Sequence, residues 1–128
     1  MFNIDFNIIL SQLERGHKIS LDDIKLYGED VYFYWRPTYG EPTDKVQAGY
    51  FATEKSTYSV TSHFTEQVVL IAGEVEITNE NTGEKKLYKA GDAWFVEQGV
   101  PTLWDIKSEY FIKHYFGVDT QALNKPEQ

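Results

Sequence analysis

From Val31 onward the apolar residues come in short or alternating runs separated by turn-forming and charged residues, the pattern of strands in a sandwich or barrel rather than the 3.6-residue period of a helix. The runs predict strands at about 31 to 36, 46 to 53, 57 to 62, 66 to 71, 74 to 79, 85 to 88, 93 to 97, 101 to 106 and 109 to 117. Thr38 to Asp44, with Gly40 and Pro42 inside it, reads as a loop. Asn81-Thr82-Gly83 between two such runs is a hairpin signal, because Asn and Gly tolerate the positive φ a tight turn needs.

The aromatic supply, eight Phe, nine Tyr and three Trp, suits the half-buried surface of a sheet. A chain of 128 residues has material for one core and one compact domain. Ahead of the strands, Asp5 as an N-cap, Phe6, Ile9, Leu10 and Leu13 at helical spacing and Gly16 as a stop predict a short amphipathic helix over about 6 to 15. Such a helix would cover an edge of the sheet structure or serve as a lid. Ser20-Leu21-Asp22-Asp23 resembles a capping box, but its sequel is too short to be read as a helix. The chain thus divides into residues 1 to 45, a helix with extra strands, residues 46 to 118, the barrel itself, and a polar tail over 119 to 128 that frays. Repeats and low-complexity segments are lacking.

Twenty acidic residues against twelve basic ones give a net charge of -8, which repels a phosphate backbone and anionic lipid alike. Nucleic acid is excluded as a partner on this ground, and no stretch approaches the roughly 20 apolar residues of a membrane span. The first ten residues, MFNIDFNIIL, contain Asp5 and no Lys or Arg, unlike a secretory signal. With zero cysteines there are no disulfides or thiolate metal sites. A soluble, cytoplasmic protein is the expectation.

Two glycine-cornered stretches carry the chemistry. In Glu66-Gln67-Val68-Val69-Leu70-Ile71-Ala72-Gly73 a lone carboxylate heads an apolar strand that ends in a glycine corner. In Gly91-Asp92-Ala93-Trp94-Phe95-Val96-Glu97-Gln98-Gly99 two glycines bracket a strand. These resemble the two motifs of the cupin superfamily, with Glu66 and Gly73 matching the first, Gly91 and Gly99 the second, and Glu97 standing where the second has proline. From about Gly49 to Phe116 the chain is similar to the subgroup named for the cupin domain of (S)-ureidoglycine aminohydrolase, which neighbours the ethanolamine-utilisation cupins. The resemblance implies a mostly β, jelly-roll-like double-stranded β-helix barrel and a homodimer. It leaves residues 1 to 45 unexplained.

Many cupins hold a divalent metal with a His-x-His pair, the motif Glu and one later His. Here the pair falls on Ser59 and Thr61, or on Val60 and Ser62, and the later position on Thr102, so of the usual ligands only Glu66 is present. No metal or other cofactor is therefore expected. A rearranged triad of His63, Glu66 and His114 is the alternative. His17 sits after the predicted helix with no chemical role.

Glu66 is the candidate catalytic residue, a general acid or base if it points into an apolar barrel; the competing reading makes it a hydrogen-bonded cross-link of the barrel. The resemblance also puts Ser59 and Thr61 inside, whereas alternation alone leaves open whether their face or that of Tyr58 and Val60 looks inward. Thr102 and Trp104 share a strand face, so with position 102 inside by the family pattern the indole lines the same cavity, a wall suited to a planar or amide-bearing ligand. The bland reading of Trp104 is core packing, as for Trp35 and Trp94. Lys113 and Arg36 are the positive groups near such a pocket. Three functions compete: a cupin binding a small polar metabolite beside Glu66, with His63, Thr102, Trp104, His114, Ser59 and Thr61 as ligand contacts; a metal-dependent enzyme of the aminohydrolase or isomerase type on the rearranged triad; and a non-catalytic dimeric module.

Overall fold

The computed structural model describes residues 1–18 and 24–123. Ser20 to Asp23, with their capping-box pattern, and the end of the polar tail from residue 124 lie outside the described residues. Among the described residues eleven strands form: β1 (Glu14–Lys18), β2 (Ile24–Tyr27), β3 (Tyr32–Tyr39), β4 (Val46–Glu54), β5 (Thr57–Thr61), β6 (Thr65–Ala72), β7 (Glu74–Asn79), β8 (Lys85–Lys89), β9 (Ala93–Val96), β10 (Pro101–Ile106) and β11 (Tyr110–Val118). All nine strands expected from Val31 onward are present, several lengthened by a residue or more. They build two antiparallel sheets, one of six strands in the order β1-β3-β4-β11-β6-β9 and one of five in the order β2-β5-β10-β7-β8. This is the mostly β, jelly-roll-like barrel that the motifs imply.

The N-terminal helix predicted over about 6 to 15 does not form. Residues Leu10–Gln12 form one 3-10 turn, and β1 begins at Glu14, so Gly16 and His17 lie in a strand. The chain is held locally by Tyr50 Oη, which accepts from the Asp5 N–H at 2.7 Å, and by the Gln12 side chain, which accepts from the Ile9 N–H at 2.9 Å. Helical spacing misjudged which residues pack: Phe6 and Ile9 are each 53% exposed, whereas Ile8 and Leu13 are buried. Two consecutive β-branched residues, Ile8 and Ile9, also disfavour a short helix.

Two apolar clusters lie on opposite faces of the six-stranded sheet. Between the sheets, Leu70 and Phe111 meet Tyr58, Val75, Trp104 and Ile106. Behind the larger sheet, Ile8 and Leu13 of the N-terminal segment cover Tyr50, Ala52, Ile71 and Ile112. The two-residue alternation of a strand therefore decides which cluster, and which chemistry, each side chain joins.

The glycine corners are where the motifs put them. Gly73, Gly91 and Gly99 have φ of +90°, +97° and +91°, in the region that L side chains rarely adopt. In the hairpin between β7 and β8, the Gly83 N–H donates to the Asn79 carbonyl at 2.7 Å. The tail begins with a short α1 (Thr120–Leu123), capped by Asp119 Oδ1 accepting from the Ala122 N–H at 3.1 Å. Gln98 ties this helix to the β5–β6 loop, donating to the His63 carbonyl at 2.9 Å while accepting from Thr120 Oγ1 at 3.0 Å. Among the described residues no helix is long and apolar enough to cross a membrane.

Candidate functional site

On β11, Phe111, Lys113 and Tyr115 look between the sheets, while Ile112, His114 and Phe116 look out behind them. On β6 the same alternation turns Glu66 inward and Gln67 and Val69 outward. Glu66 and Lys113 thus converge on a cavity of about 200 Å³. Lys113 Nζ donates to Glu66 Oε1 at 3.2 Å, and the two side chains are 11% and 14% exposed.

Aromatic rings surround the ammonium. Lys113 Nζ lies 4.8 Å from the centroid of Trp104, 5.5 Å from Phe51 and 5.7 Å from Tyr115. Each ring face offers negative charge to the cation, and desolvation strengthens the attraction. Trp104 is itself fixed: it stacks on Tyr58 with an interplanar angle of 7°, and its indole N–H donates to Thr102 Oγ1 at 3.0 Å. Thr102 Oγ1 in turn donates to the Val60 carbonyl at 2.9 Å.

Two phenols are held neutral beside this pair. Burial, followed by the nearby Glu66 carboxylate, pushes the Tyr115 hydroxyl up to about 12, and it donates to Gln47 Oε1 at 2.9 Å. Burial also raises Tyr58 well above the ordinary phenol value, opposed by a hydrogen bond with Thr53. Phe51 and Tyr115 are shared with a wider groove of about 770 Å³ that passes Trp35 and Arg36. Arg36 is exposed there, so it contributes no buried charge to the smaller cavity.

Of the residues singled out from sequence, Glu66, Thr102, Trp104 and His63 line the cavity, His63 at its exposed rim. Ser59 and Thr61 do not. Strand β5 turns Tyr58 and Val60 inward, Ser59 Oγ donates to Tyr27 Oη at 3.5 Å on the exposed side, and Thr61 is exposed. The apolar face won because the opposite sheet presents Leu70, Phe111 and Phe51 to Tyr58 and Val60.

His114 is also placed elsewhere. It is buried behind the six-stranded sheet, where its Nε2 lies 2.9 Å from Thr38 Oγ1 and its ring meets Tyr50 edge-on at 4.9 Å. Burial lowers its pKa below the ordinary imidazole value. A triad of His63, Glu66 and His114 would need two side chains on opposite faces of one sheet to share an ion. Among the described residues, no group of three or more His, Asp or Glu side chains is placed to hold a metal.

By sequence alone Lys113 is a nearby cation, with no motif to name it as the partner of Glu66. The signal was available in the alternation of β11: whichever face holds Phe111 also holds Lys113 and Tyr115.

A family model described as the EutQ-like cupin domain matches residues 40–115 of this chain. The chain belongs to the EutQ-like cupin family. Its fold resembles that of the Clostridium difficile EutQ protein with a TM-score of 0.58 at 18% identity, over 70% of this cupin and 69% of that chain. A structure assigned to ethanolamine utilization protein Q of Salmonella typhimurium gives 0.56 at 19% identity, over 68% and 69%. A protein of unknown function from Pseudomonas syringae pv. tomato gives 0.70 at 20% identity, over 88% of this cupin but only 46% of that longer chain. No curated protein sequence shows significant similarity to it.

Proposed function

We propose that this EutQ-like cupin is a soluble, cytoplasmic protein that binds a small polar metabolite between its sheets, with the Glu66–Lys113 pair at the polar end of the cavity. The observation that carries the reading is a charged pair, each side chain more than four-fifths buried, facing a cavity of about 200 Å³ walled by Trp104, Phe51 and Tyr58. Burying two charges costs more than an apolar packing of the same volume would, so a pair retained at a cavity wall is well suited to a ligand that uses it. Thr102 and Trp104 contribute as a pre-set wall, because their hydrogen bonds hold the indole in one orientation.

In this reading Lys113 supplies the positive charge that a metal supplies in many cupins, and Glu66 is the group placed to exchange a proton with a bound molecule. The likeness to the ureidoglycine aminohydrolase cupin rests on the sequence motifs alone, and that enzyme's activity is not carried over. The test is a thermal-shift screen against a metabolite library, run alongside metal analysis of protein purified without chelators. A compound that raises the melting temperature of the wild type and not of Trp104→Ala supports the proposal. No shift with any compound overturns it, as does stoichiometric Mn, Fe, Ni or Zn in the purified protein.

A second reading, compatible with the first, is that the cupin forms a homodimer. Its support is an apolar patch on the outer face of the six-stranded sheet, where Phe116 pairs across Gln67 with Phe95 and the two rings are 49% and 64% exposed.

A further inference from the structure

Among the described residues, the charges that line the cavity make a simple sum. Glu66 and Lys113 sum to zero, and His63 stands at the exposed rim, where water screens it. An ammonium has three N–H donors, and among the described residues Lys113 uses one, toward Glu66 Oε1. A carboxylate accepts at both oxygens. A molecule entering the cavity therefore meets a donor and an acceptor side by side, in mostly apolar surroundings that include the rings of Phe51, Tyr58 and Trp104.

An anion placed there would satisfy Lys113 but leave one negative charge without compensation; a cation would satisfy Glu66 and leave one positive charge. Either imbalance is costly where water is largely excluded. A net-neutral group that carries a hydrogen-bond acceptor next to a donor answers both partners and leaves the sum at zero. A flat group of this kind also suits the aromatic walls that Phe51, Tyr58, Trp104 and Tyr115 give the cavity. We infer that the cavity selects net-neutral, planar ligands with adjacent acceptor and donor atoms, the primary amide being the simplest, and that the Glu66–Lys113 pair sets this charge preference. The inference rests on the reading of the cavity as a binding site.

Benzamide, benzoate and benzamidine test it, because they share one flat shape and carry charges of 0, -1 and +1 at pH 8. Their affinities are measured by ligand-observed NMR or calorimetry on the wild type, on Glu66→Gln and on Lys113→Met. The wild type is expected to prefer benzamide by about tenfold, the scale of one poorly compensated charge in a partly dry site. Glu66→Gln leaves the site at +1 and moves the preference to benzoate; Lys113→Met leaves it at -1 and moves the preference to benzamidine. If Lys113→Met does not fold, the shift in Glu66→Gln carries the test. A wild type that prefers either charged probe, or a Glu66→Gln preference that does not move, overturns the charge rule while leaving the cavity a binding site. Binding of none of the three probes to any of the proteins overturns the binding-site reading itself.

Discussion

The ammonium of Lys113 sits 3.2 Å from the carboxylate of Glu66, with the six-membered ring of one aromatic neighbour and the indole of another closing over it. The two residues come from adjacent strands of one sheet, β11 and β6, and both lie on the face that looks toward the second sheet. Removing one partner strands the other charge. Lys113→Met is expected to destabilise the fold by about 3 kcal/mol, at the lower end of the range for a broken buried pair because both groups keep some contact with solvent. Adding Glu66→Gln should recover a large part of that loss, since no unpaired charge then stays behind. Urea denaturation of the wild type, both single variants and the double variant measures the coupling. Additive losses would show that the contact carries no energy.

The glycine corners make a graded prediction. A Cβ on Gly73 would meet the Tyr110 carbonyl, Ser108 Oγ at 2.6 Å and Phe111 Cα at 3.0 Å, in addition to the strain of φ +90°. A Cβ on Gly91, at φ +97°, would meet nothing within 4 Å. Gly91→Ala should therefore cost only the backbone strain, about 1 kcal/mol. Gly73→Ala should cost clearly more, about 3 kcal/mol or above, because backbone atoms of β11 cannot move aside cheaply. Equal melting temperatures for the two variants would contradict the packing described at the β6–β7 corner.

His114 gives the stability a pH dependence of predictable sign. Its folded pKa lies below the ordinary imidazole value because burial penalises the charged ring. As pH falls through the unfolded value of about 6.5, the unfolded chain takes up the proton first, so stability present above that pH is lost toward lower pH. Thr38 Oγ1 and the edge-on Tyr50 ring face His114, and neither can neutralise a positive charge fully. His114→Gln should flatten the fall in melting temperature between pH 7 and pH 5 relative to wild type. An unchanged slope would place the proton uptake elsewhere.

The outer face of the six-stranded sheet offers the last test. Phe2, Phe95 and Phe116 are 55%, 64% and 49% exposed, and β9 forms one edge of the same sheet. A second copy that covered this face would remove both the apolar patch and an open edge. Sedimentation at micromolar concentration is expected to give a dimer for the wild type and a monomer for the double variant Phe95→Lys, Phe116→Lys, with similar unfolding midpoints extrapolated to low concentration. A wild-type monomer at high concentration would remove this reading.

Strand positions from Val31 to Val118 were readable because each strand announces itself locally, by alternating side chains and by a turn residue at its end. The corners at Gly73, Gly91 and Gly99 were readable for the same reason, since a positive φ leaves a glycine in the sequence. The placement of Thr102, Trp104 and Glu66 at one cavity followed from the family pattern joined to that alternation. Burial of Ile8 and Leu13 instead of Phe6 and Ile9 was not readable, because the surface they cover is made by β4, β6 and β11 far along the chain.

What the amino-acid sequence determined by itself is the barrel from Val31 onward: nine strands in their order, their glycine corners and a lone acidic residue at the head of β6. What only the tertiary structure decided is which face of each strand looks inward, and hence that His114 and Glu66 are parted by a sheet while Lys113 and Glu66 meet. The physical reason is that alternation assigns side chains to two faces without naming them. The assignment is made when the sheets pack, by whichever choice buries the larger apolar area and still leaves the charges paired.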